Sequence, residues 1–316
     1  MRLTGGRRRA PPAVRGATLV AALAAAAGVA AAEPAPPFRV GFSRAMFAEV
    51  NEADARAAMT VWARTLGHER GLSVDPVVRF FNDAPAMADA LRDETTDAVI
   101  CTYVEFRDVD ERVRTGPWFG LRVAGEVTQE YVLLVDAASS HAAVADLRGK
   151  AVSLHRSPLT CLARDWLDGL AIDGGVREGA SGLFGPIREV PKVTAAVLPV
   201  FFGQAEAAVA TASDFRTLAE LNPQIGRRLR VIARSPRLVT EVLAFRASFR
   251  SPERERLLAE LERLHSSPAG QQVLTVFRGE STVALDRSAL RETESFLARA
   301  RSRRVTAGAA GRPGRP

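Results

Sequence analysis

The stretch Asp146-Leu147-Arg148-Gly149-Lys150-Ala151-Val152-Ser153-Leu154 is the part of this chain that indicates its fold most directly. A short polar turn leads into an apolar strand, and the strand runs into Arg156-Ser157-Pro158-Leu159-Thr160. Ser157 can cap a helix and Pro158 suits a first helical turn, so the second segment predicts a helix start. The free N–H groups of such a helix start, with Ser and Thr hydroxyls beside them, can hold an anion.

Strands and helices alternate on both sides of this stretch. Before it, the hydrophobic pattern predicts strands at 38–42, 74–81, 97–102, 120–127 and 130–135. The helices between the first three of these strands begin after Asn51 and Asp83, which are good N-caps. After it, the pattern predicts strands at 187–190, 206–211 and 229–233, and helices at 159–170, 193–202 and 215–221. Such alternation predicts sheets covered on both faces, with a ligand crevice at the carboxyl ends of the strands.

The pattern divides into two similar α/β halves, the second inserted within the first. We therefore predict lobe 1 at 33–130, lobe 2 at 131–232 and a return to lobe 1 at 233–298. The strand at 130–135 is expected to cross into lobe 2, and the strand at 229–233 to lead back. A strand at 242–249 and helices at 252–264, 268–277 and 286–300 complete lobe 1. Each lobe is predicted to be a mixed, mainly parallel sheet flanked by helices.

The two ends of the chain differ from its body. Residues 1–32 join a basic segment to an apolar run, which is typical of a cleavable signal peptide and predicts export to the periplasm. An uncleaved membrane anchor is the alternative interpretation of this run. Residues 299–316 are rich in Arg, Gly, Ala and Pro, which predicts a disordered tail.

The net charge of +7 comes from these two ends. They hold 11 of the 43 basic residues and no acidic ones, so the body carries 32 basic residues against 36 acidic ones. A mildly acidic body argues against a nucleic-acid partner, which requires a basic face on the domain itself. Cys101 and Cys161 are either two buried thiols or a disulfide, which an exported protein permits.

Motifs for catalysis, cofactor binding and metal binding are missing from the sequence. Gly149-Lys150 lacks the earlier Gly of a phosphate-binding loop, and no G-x-S-x-G turn occurs. The four histidines are scattered, without an i, i+4 pair for zinc. We therefore expect a binding protein without catalytic residues, cofactor or metal.

Three segments occur in the order typical of one protein family. They are the turn at 146–150, the helix start at Ser157, and Gly203-Gln204-Ala205-Glu206-Ala207, where the family usually has Gly-x-x-Asp-Ala. Over roughly 38–298 the chain resembles the periplasmic phosphate/phosphite/phosphonate-binding proteins, which have the type 2 periplasmic binding protein fold. It resembles a divergent branch, because Ser157-Pro158-Leu159-Thr160 replaces the family's Ser-Thr-Ser-Gly and Lys192 stands where a His is frequent.

In this fold the ligand lies between the lobes, where the strands end. Hydroxyls, backbone N–H groups and one cation at those ends suit a small tetrahedral oxyanion. The predicted ligand-binding residues are Ser43, Thr102, Tyr103, Ser157, Thr160, Lys192 and Thr211. His155 is interpreted as an ordinary polar residue that ends its strand.

The resemblance implies an extracytoplasmic solute-binding protein of an ABC-type transporter. Such a monomer would capture a small phosphate- or phosphonate-like anion and deliver it to a membrane permease. Three alternatives remain at this point. One is a periplasmic sensing module that signals through a membrane receptor such as a sensor kinase, another is a solute without phosphorus, and the third is an enzyme on the same fold.

Overall fold

The computed structural model describes residues 36–309. The predicted signal peptide and residues 310–316 lie outside the described residues. The described strands, in chain order, are β1 (Val40–Ser43), β2 (Arg79–Phe81), β3 (Ala98–Thr102), β4 (Arg114–Arg122), β5 (Tyr131–Asp136), β6 (Val152–His155), β7 (Ile187–Val190), β8 (Ala207–Thr211), β9 (Leu229–Arg234), β10 (Glu241–Arg246) and β11 (Ser281–Leu285). The described α-helices are α1 (Glu52–Thr65), α2 (Ala84–Arg92), α3 (Tyr103–Asp108), α4 (Ala163–Asp173), α5 (Ala180–Leu183), α6 (Val193–Phe201), α7 (Ala212–Leu221), α8 (Pro223–Arg228), α9 (Arg254–Glu262), α10 (Pro268–Val276) and α11 (Arg287–Ala309).

The strands form two sheets, one in each lobe. Lobe 1 has six strands in the order β11-β4-β10-β3-β1-β2, and lobe 2 has five in the order β7-β6-β8-β5-β9. Three neighbouring strands are parallel in each sheet, and the other pairs are antiparallel. The predicted two-lobed α/β architecture with mixed sheets is confirmed. Each sheet has only three parallel strands. The chain enters β10 of lobe 1 and β5 of lobe 2 from the other lobe, so each of these strands runs antiparallel to its neighbours.

Two short segments, 123–130 and 235–240, join the lobes, and we call them the hinge. The Gln129 N–H donates to the Leu238 carbonyl at 2.7 Å, and the Leu238 N–H donates to the Gln129 carbonyl at 2.9 Å. This pairing makes the two connections a short antiparallel ribbon. The Val239 N–H donates to the Thr293 hydroxyl of α11 at 2.9 Å, so the last helix supports the hinge from behind.

Helix α11 packs against both lobes, although its residues 287–298 fall in the segment that the sequence assigns to lobe 1. Its buried Phe296 and Leu297 belong to the same apolar cluster as Trp166 and Leu167 of α4 in lobe 2. That cluster also contains Val242 of lobe 1, so one apolar core continues through the hinge region. The lobes are therefore connected by packing as well as by the chain.

Three predicted strands differ from the structure in extent or place. The strand predicted at 120–127 corresponds to β4, which lies earlier in the chain at Arg114–Arg122. The strand predicted at 74–81 is reduced to Arg79–Phe81. Pro76 has no N–H to donate, and the Asp75 carboxylate accepts the Val77 N–H at 2.9 Å, which closes a turn instead. Strand β9 pairs with β5 inside lobe 2, so the expectation that 229–233 leads back to lobe 1 is wrong. The return is made by 235–240.

Three further segments were mispredicted. The helix predicted from 159 begins at Ala163, because Pro158–Thr160 form a separate 3-10 turn. Strand β11 was not predicted, and it pairs with β4 at the edge of the lobe 1 sheet. Helix α11 continues to Ala309, so the tail predicted to be disordered from 299 is helical over its first part. Ala and Arg have high helix propensity, which favours this extension.

Asp97 connects three strands of lobe 1. Its carboxylate accepts the backbone N–H of Arg39 at 2.8 Å, an Arg39 guanidinium N–H at 3.0 Å and the Arg246 Nε–H at 2.9 Å. Burial by itself raises the pKa of this carboxyl, but the hydrogen bonds from Arg39 and Arg246 outweigh burial and hold the pKa of Asp97 below its usual range. The charged form of Asp97 therefore stabilises the folded lobe.

We expect Asp97→Asn to lower the free energy of unfolding by about 2–4 kcal/mol at pH 7, because it leaves two arginines without their buried counter-charge. A depressed pKa stabilises the protein above the usual carboxyl pKa, and the effect is lost as pH falls through the folded-state pKa. Urea denaturation at pH 7 and at pH 3 measures this, and the difference from wild type should shrink in acid. The control is Asp89→Asn, at an exposed ion pair with Arg92, which should change stability by less than about 0.5 kcal/mol. Equal changes in the free energy of unfolding for Asp97→Asn and Asp89→Asn would contradict the stabilising role of the charged Asp97 carboxylate.

Candidate functional site

Four central strands end at the same cleft, and each ends in a polar residue. Ser43 and Thr102 end β1 and β3 in lobe 1, and His155 and Thr211 end β6 and β8 in lobe 2. All four are buried, and none is more than 4% exposed. Since the carboxyl ends of parallel strands lie at one edge of a sheet, the two sheets present these residues toward each other.

The lobe 1 side of the cleft is organised by Glu105. Thr102 caps α3 and accepts the Glu105 N–H, while the Glu105 carboxylate accepts the Thr102 N–H at 3.1 Å and its hydroxyl at 2.8 Å. The Ser43 hydroxyl donates to the other oxygen of the same carboxylate. Ser43 and Thr102 are thus brought together, as the sequence predicted, but through a carboxylate that the prediction did not include.

The lobe 2 side has a similar arrangement around Asp214. Thr211 caps α7 by accepting the Asp214 N–H at 3.0 Å, and its hydroxyl lies 3.0 Å from the Ser213 hydroxyl. The Thr160 hydroxyl donates to the His155 carbonyl at 2.6 Å and accepts the Ser157 N–H at 3.0 Å. These hydroxyls therefore already have local hydrogen-bond partners in the structure.

Four charged side chains cross the cleft, and we call them the interlobe cluster: Glu49, His155, Asp214 and Arg278. His155 Nε2 lies 2.8 Å from Glu49 Oε1, and His155 Nδ1 lies 3.4 Å from Asp214 Oδ2. Arg278 places one guanidinium nitrogen 3.1 Å from Glu49 and the other 3.4 Å from Asp214. Glu49 and Arg278 come from lobe 1, whereas His155 and Asp214 come from lobe 2. Each cation therefore contacts one carboxylate from each lobe.

The carboxylates determine the charge state of His155. Burial disfavours the imidazolium, but the hydrogen-bonding and charge of Asp214 and Glu49 outweigh burial and raise the pKa of His155 to about 9. In return, the pKa of Asp214 is held below its usual range, since His155, Thr211 and Arg278 outweigh its burial. At neutral pH the cluster thus contains two cations and two carboxylates.

The remaining predicted residues lie outside this cluster. The Tyr103 ring packs into the core, 5.5 Å from the Phe106 ring, and burial raises the pKa of its hydroxyl. Lys192 lies just before α6, with an exposed side chain that forms no hydrogen bond or ion pair within the described residues. Cys161 is a free thiol whose sulfur lies 3.4 Å from the Thr240 carbonyl, and Cys101 is free as well. The disulfide that the sequence left open is not formed.

Sequence reasoning missed Glu49, Glu105, Asp214 and Arg278. Glu105 and Asp214 had a detectable signal, because each stands three residues after a Thr that ends a strand, as in a capping box. Arg278 follows α10 with a φ of +56°, the left-handed conformation that commonly ends a helix. Glu49 lies in an irregular segment before α1, and no local pattern marks it.

The described part of the chain contains neither a metal-binding cluster nor a membrane-spanning helix. No group of three or more His, Cys, Asp or Glu side chains within residues 36–309 is arranged to hold a metal ion. Within the same part of the chain, none of the helices has the length and apolar character needed to cross a bilayer.

Two lobes that meet over polar strand ends, joined by a paired hinge, define a solute-binding protein of the type 2 periplasmic fold. Residues 45–290 match the model of one family, described as "ABC transporter, phosphonate, periplasmic substrate-binding protein". The chain belongs to this family. Proteins of this kind bind small solutes outside the cytoplasm and deliver them to ABC permeases. No curated protein matches the chain in sequence.

Several solved structures share the fold. XAC2383 from Xanthomonas citri bound to chloride ion is 16% identical, with a TM-score of 0.58 over 85% of this chain and 99% of that one. A binding protein component of an ABC phosphonate transporter from Pseudomonas aeruginosa is 15% identical, with a TM-score of 0.57 over 86% and 89%. PhnD1 from Prochlorococcus marinus in complex with methylphosphonate is 13% identical, with a TM-score of 0.53 over 83% and 97%. At these identities the likeness concerns the fold alone.

A cationic His155 has a measurable consequence for stability. Since its pKa rises from an ordinary 6.5 to about 9 on folding, its contribution is complete below the lower value and is lost as pH rises through the higher one. We expect His155→Gln to cost about 2 kcal/mol at pH 6, and to differ much less from wild type at pH 10. Thermal melting from pH 6 to pH 10 measures this. His265→Gln, at an exposed histidine, is the control. If the stability difference between wild type and His155→Gln were the same at pH 6 and pH 10, His155 would not be the group whose charge stabilises the fold.

Proposed function

We propose that the cleft binds a small oxyanion of the phosphate or phosphonate class for delivery to a membrane permease. The observation that carries this proposal is the pair of cations in the interlobe cluster, one from each lobe. Glu49 bridges them, with one oxygen 2.8 Å from His155 and the other 3.1 Å from Arg278. Two oxygens of a phosphonate can make the same pair of charge-assisted hydrogen bonds.

The Glu49 carboxylate is placed where such a ligand can displace it. It lies in an irregular segment, and its side chain keeps 18% exposure at the mouth of the cleft. Asp214, by contrast, is 8% exposed and is fixed at the start of α7. An arriving oxyanion would therefore displace Glu49 and keep Asp214 as the counter-charge of His155. Glu49 and Asp214 together balance the charges of the two cations.

Hydrogen bonds in the cleft can supply enough free energy to bind an oxyanion with micromolar affinity. Charge-assisted hydrogen bonds contribute about 1.5–3 kcal/mol each, whereas a micromolar site requires about 8 kcal/mol. Contacts to His155 and Arg278 supply part of this, and hydroxyls of residues such as Ser157 supply more. Displacing Glu49 and ordering the lobes both cost free energy, so preorganisation by the hinge is essential.

The charge of the cleft favours one subclass of ligand. Once Glu49 is displaced, Glu105 and Asp214 still balance His155 and Arg278, so a dianion enters a cleft without net positive charge. A phosphonate that also carries an ammonium group adds less negative charge and can place that group near Glu105. We therefore propose that such a zwitterion binds more tightly than inorganic phosphate.

Delivery to a permease is preferred over signalling to a receptor because the family consists of transport binding proteins. We propose that the protein acts as a monomer, since one chain contains both lobes and the whole cleft. Uptake of the bound solute into vesicles that contain the cognate permease distinguishes transport from signalling. Size-exclusion chromatography with light scattering tests the monomer.

Titration calorimetry with phosphate, phosphite, methylphosphonate and an aminoalkylphosphonate tests the ligand class. We expect saturable heat with at least one phosphonate, and tightest binding of the amino compound. Arg278→Ala should weaken that binding by about tenfold or more, because a charge-assisted bond is lost. Arg263→Ala, at an exposed arginine that ends α9, is the control and should leave affinity unchanged. Absence of heat with all four compounds would overturn the oxyanion proposal.

Removal of the competing carboxylate should have the opposite effect. Glu49→Gln leaves a neutral amide that pairs less strongly with His155 and Arg278. We expect phosphonate affinity to rise by roughly tenfold in the same titration. Glu262→Gln, at an exposed glutamate, serves as the matched control. Weaker binding in Glu49→Gln would mean that Glu49 contacts the ligand and does not compete with it.

A further inference from the structure

Lobe 1 contains a cavity that is separate from the interlobe cluster, since none of the four cluster residues lines it. It lies between the sheet and helices α1, α9 and α10, and its volume is about 90 Å³. One water molecule needs roughly 10–15 Å³ on this measure, whereas an apolar cavity of about 150 Å³ accepts benzene. The space therefore fits a hydrocarbon group of about four to six carbon atoms.

The wall of this cavity is almost entirely apolar. Its aromatic residues are Phe38, Phe42, Trp62, Phe119 and Phe277, and aliphatic side chains and methionines supply most of the rest. Hardly any polar surface of Glu241 or Thr282 reaches the cavity, and the Thr282 hydroxyl already donates to the Leu261 carbonyl. Because a buried water molecule needs about two to four polar partners, this wall favours a neutral apolar occupant over water.

The cavity has a buried end and an end near solvent. At the buried end lie Phe38 and Trp62, which are 5% and 4% exposed. At the other end Leu121 and Thr282 lie directly opposite each other in β4 and β11, and both are half-buried, as is Phe277. An apolar chain can therefore enter beside Phe277 and extend toward Trp62, while a polar group at its other end stays near water.

We propose that this cavity is a second binding site, which holds a small neutral molecule by an apolar chain or ring of about four to six carbon atoms. Burial of apolar surface drives the binding, and a hydroxyl on the molecule remains at the half-buried end, where water can hydrogen-bond to it. The occupant fits within lobe 1 and needs neither His155 nor Arg278. Binding at this site is therefore independent of phosphonate capture, and either site can exist without the other.

Saturation-transfer NMR titrations of the full chain with 1-butanol, 1-pentanol and 1-hexanol test the proposal. We expect affinity to rise by about fourfold with each added CH₂ group, because burial of one such group contributes that factor. The polar match is 1,6-hexanediol, which should bind at least about tenfold more weakly than 1-hexanol, since its second hydroxyl loses its hydrogen bonds to water at the buried end. Saturating methylphosphonate should not displace 1-hexanol. An affinity that does not depend on chain length, or equal binding of the diol, would overturn the proposal.

A filled cavity locates the site. Val273 of α10 is buried and lines the cavity, so Val273→Phe places a ring into the space and should weaken 1-hexanol binding by about tenfold or more. Val276→Phe is the matched control, because Val276 lies on the same helix, is half-buried and does not line the cavity. Thermal melting confirms that both variants are folded. Equal affinity of 1-hexanol for wild type and Val273→Phe would overturn the location, and failure of the alcohols to bind wild type would overturn the site, whatever the outcome for phosphonates.

Discussion

A buried imidazolium at the meeting point of two lobes is the constraint on which this structure depends. His155 is fully buried, and its charge is tolerated because Asp214 lies on its own lobe and Glu49 reaches it from the other. Removing one partner of such a buried set is far more costly than losing an exposed ion pair. The lobes therefore meet in one register, in which Glu49 and Arg278 face His155 and Asp214.

The hinge and α11 hold the two lobes in this relative position. Gln129 and Leu238 pair the two connections, and Thr293 of α11 holds the second connection in place. The apolar core that extends through this region resists sliding of one lobe over the other. The proposed function requires the cleft to open and close, and rotation about the hinge is the motion compatible with these contacts.

The hydroxyl groups at the strand ends make hydrogen bonds that stabilise the protein's own helix starts and turns. Thr102 and Thr211 cap the helices that follow them, and Thr160 closes its own turn. Pro158 lacks an N–H, so the turn after β6 offers fewer donors than a helix start with free N–H groups. In the oxyanion site proposed above, recognition therefore depends mainly on His155 and Arg278, the two cations that the Glu49 carboxylate bridges.

The sequence by itself determined the two-lobed α/β fold, because apolar periodicity and N-caps such as Asn51 and Asp83 are local signals. It also located the strand ends that carry Ser43, Thr102 and Thr211, since a polar residue after a buried strand is visible without a structure. It did not identify the interlobe cluster. Glu49 and Arg278 are 229 residues apart, and His155 is charged only because folding places Asp214 of its own lobe and Glu49 of the other lobe beside it. Only the tertiary structure decided these contacts, because a pKa depends on burial and on neighbours that no local pattern encodes.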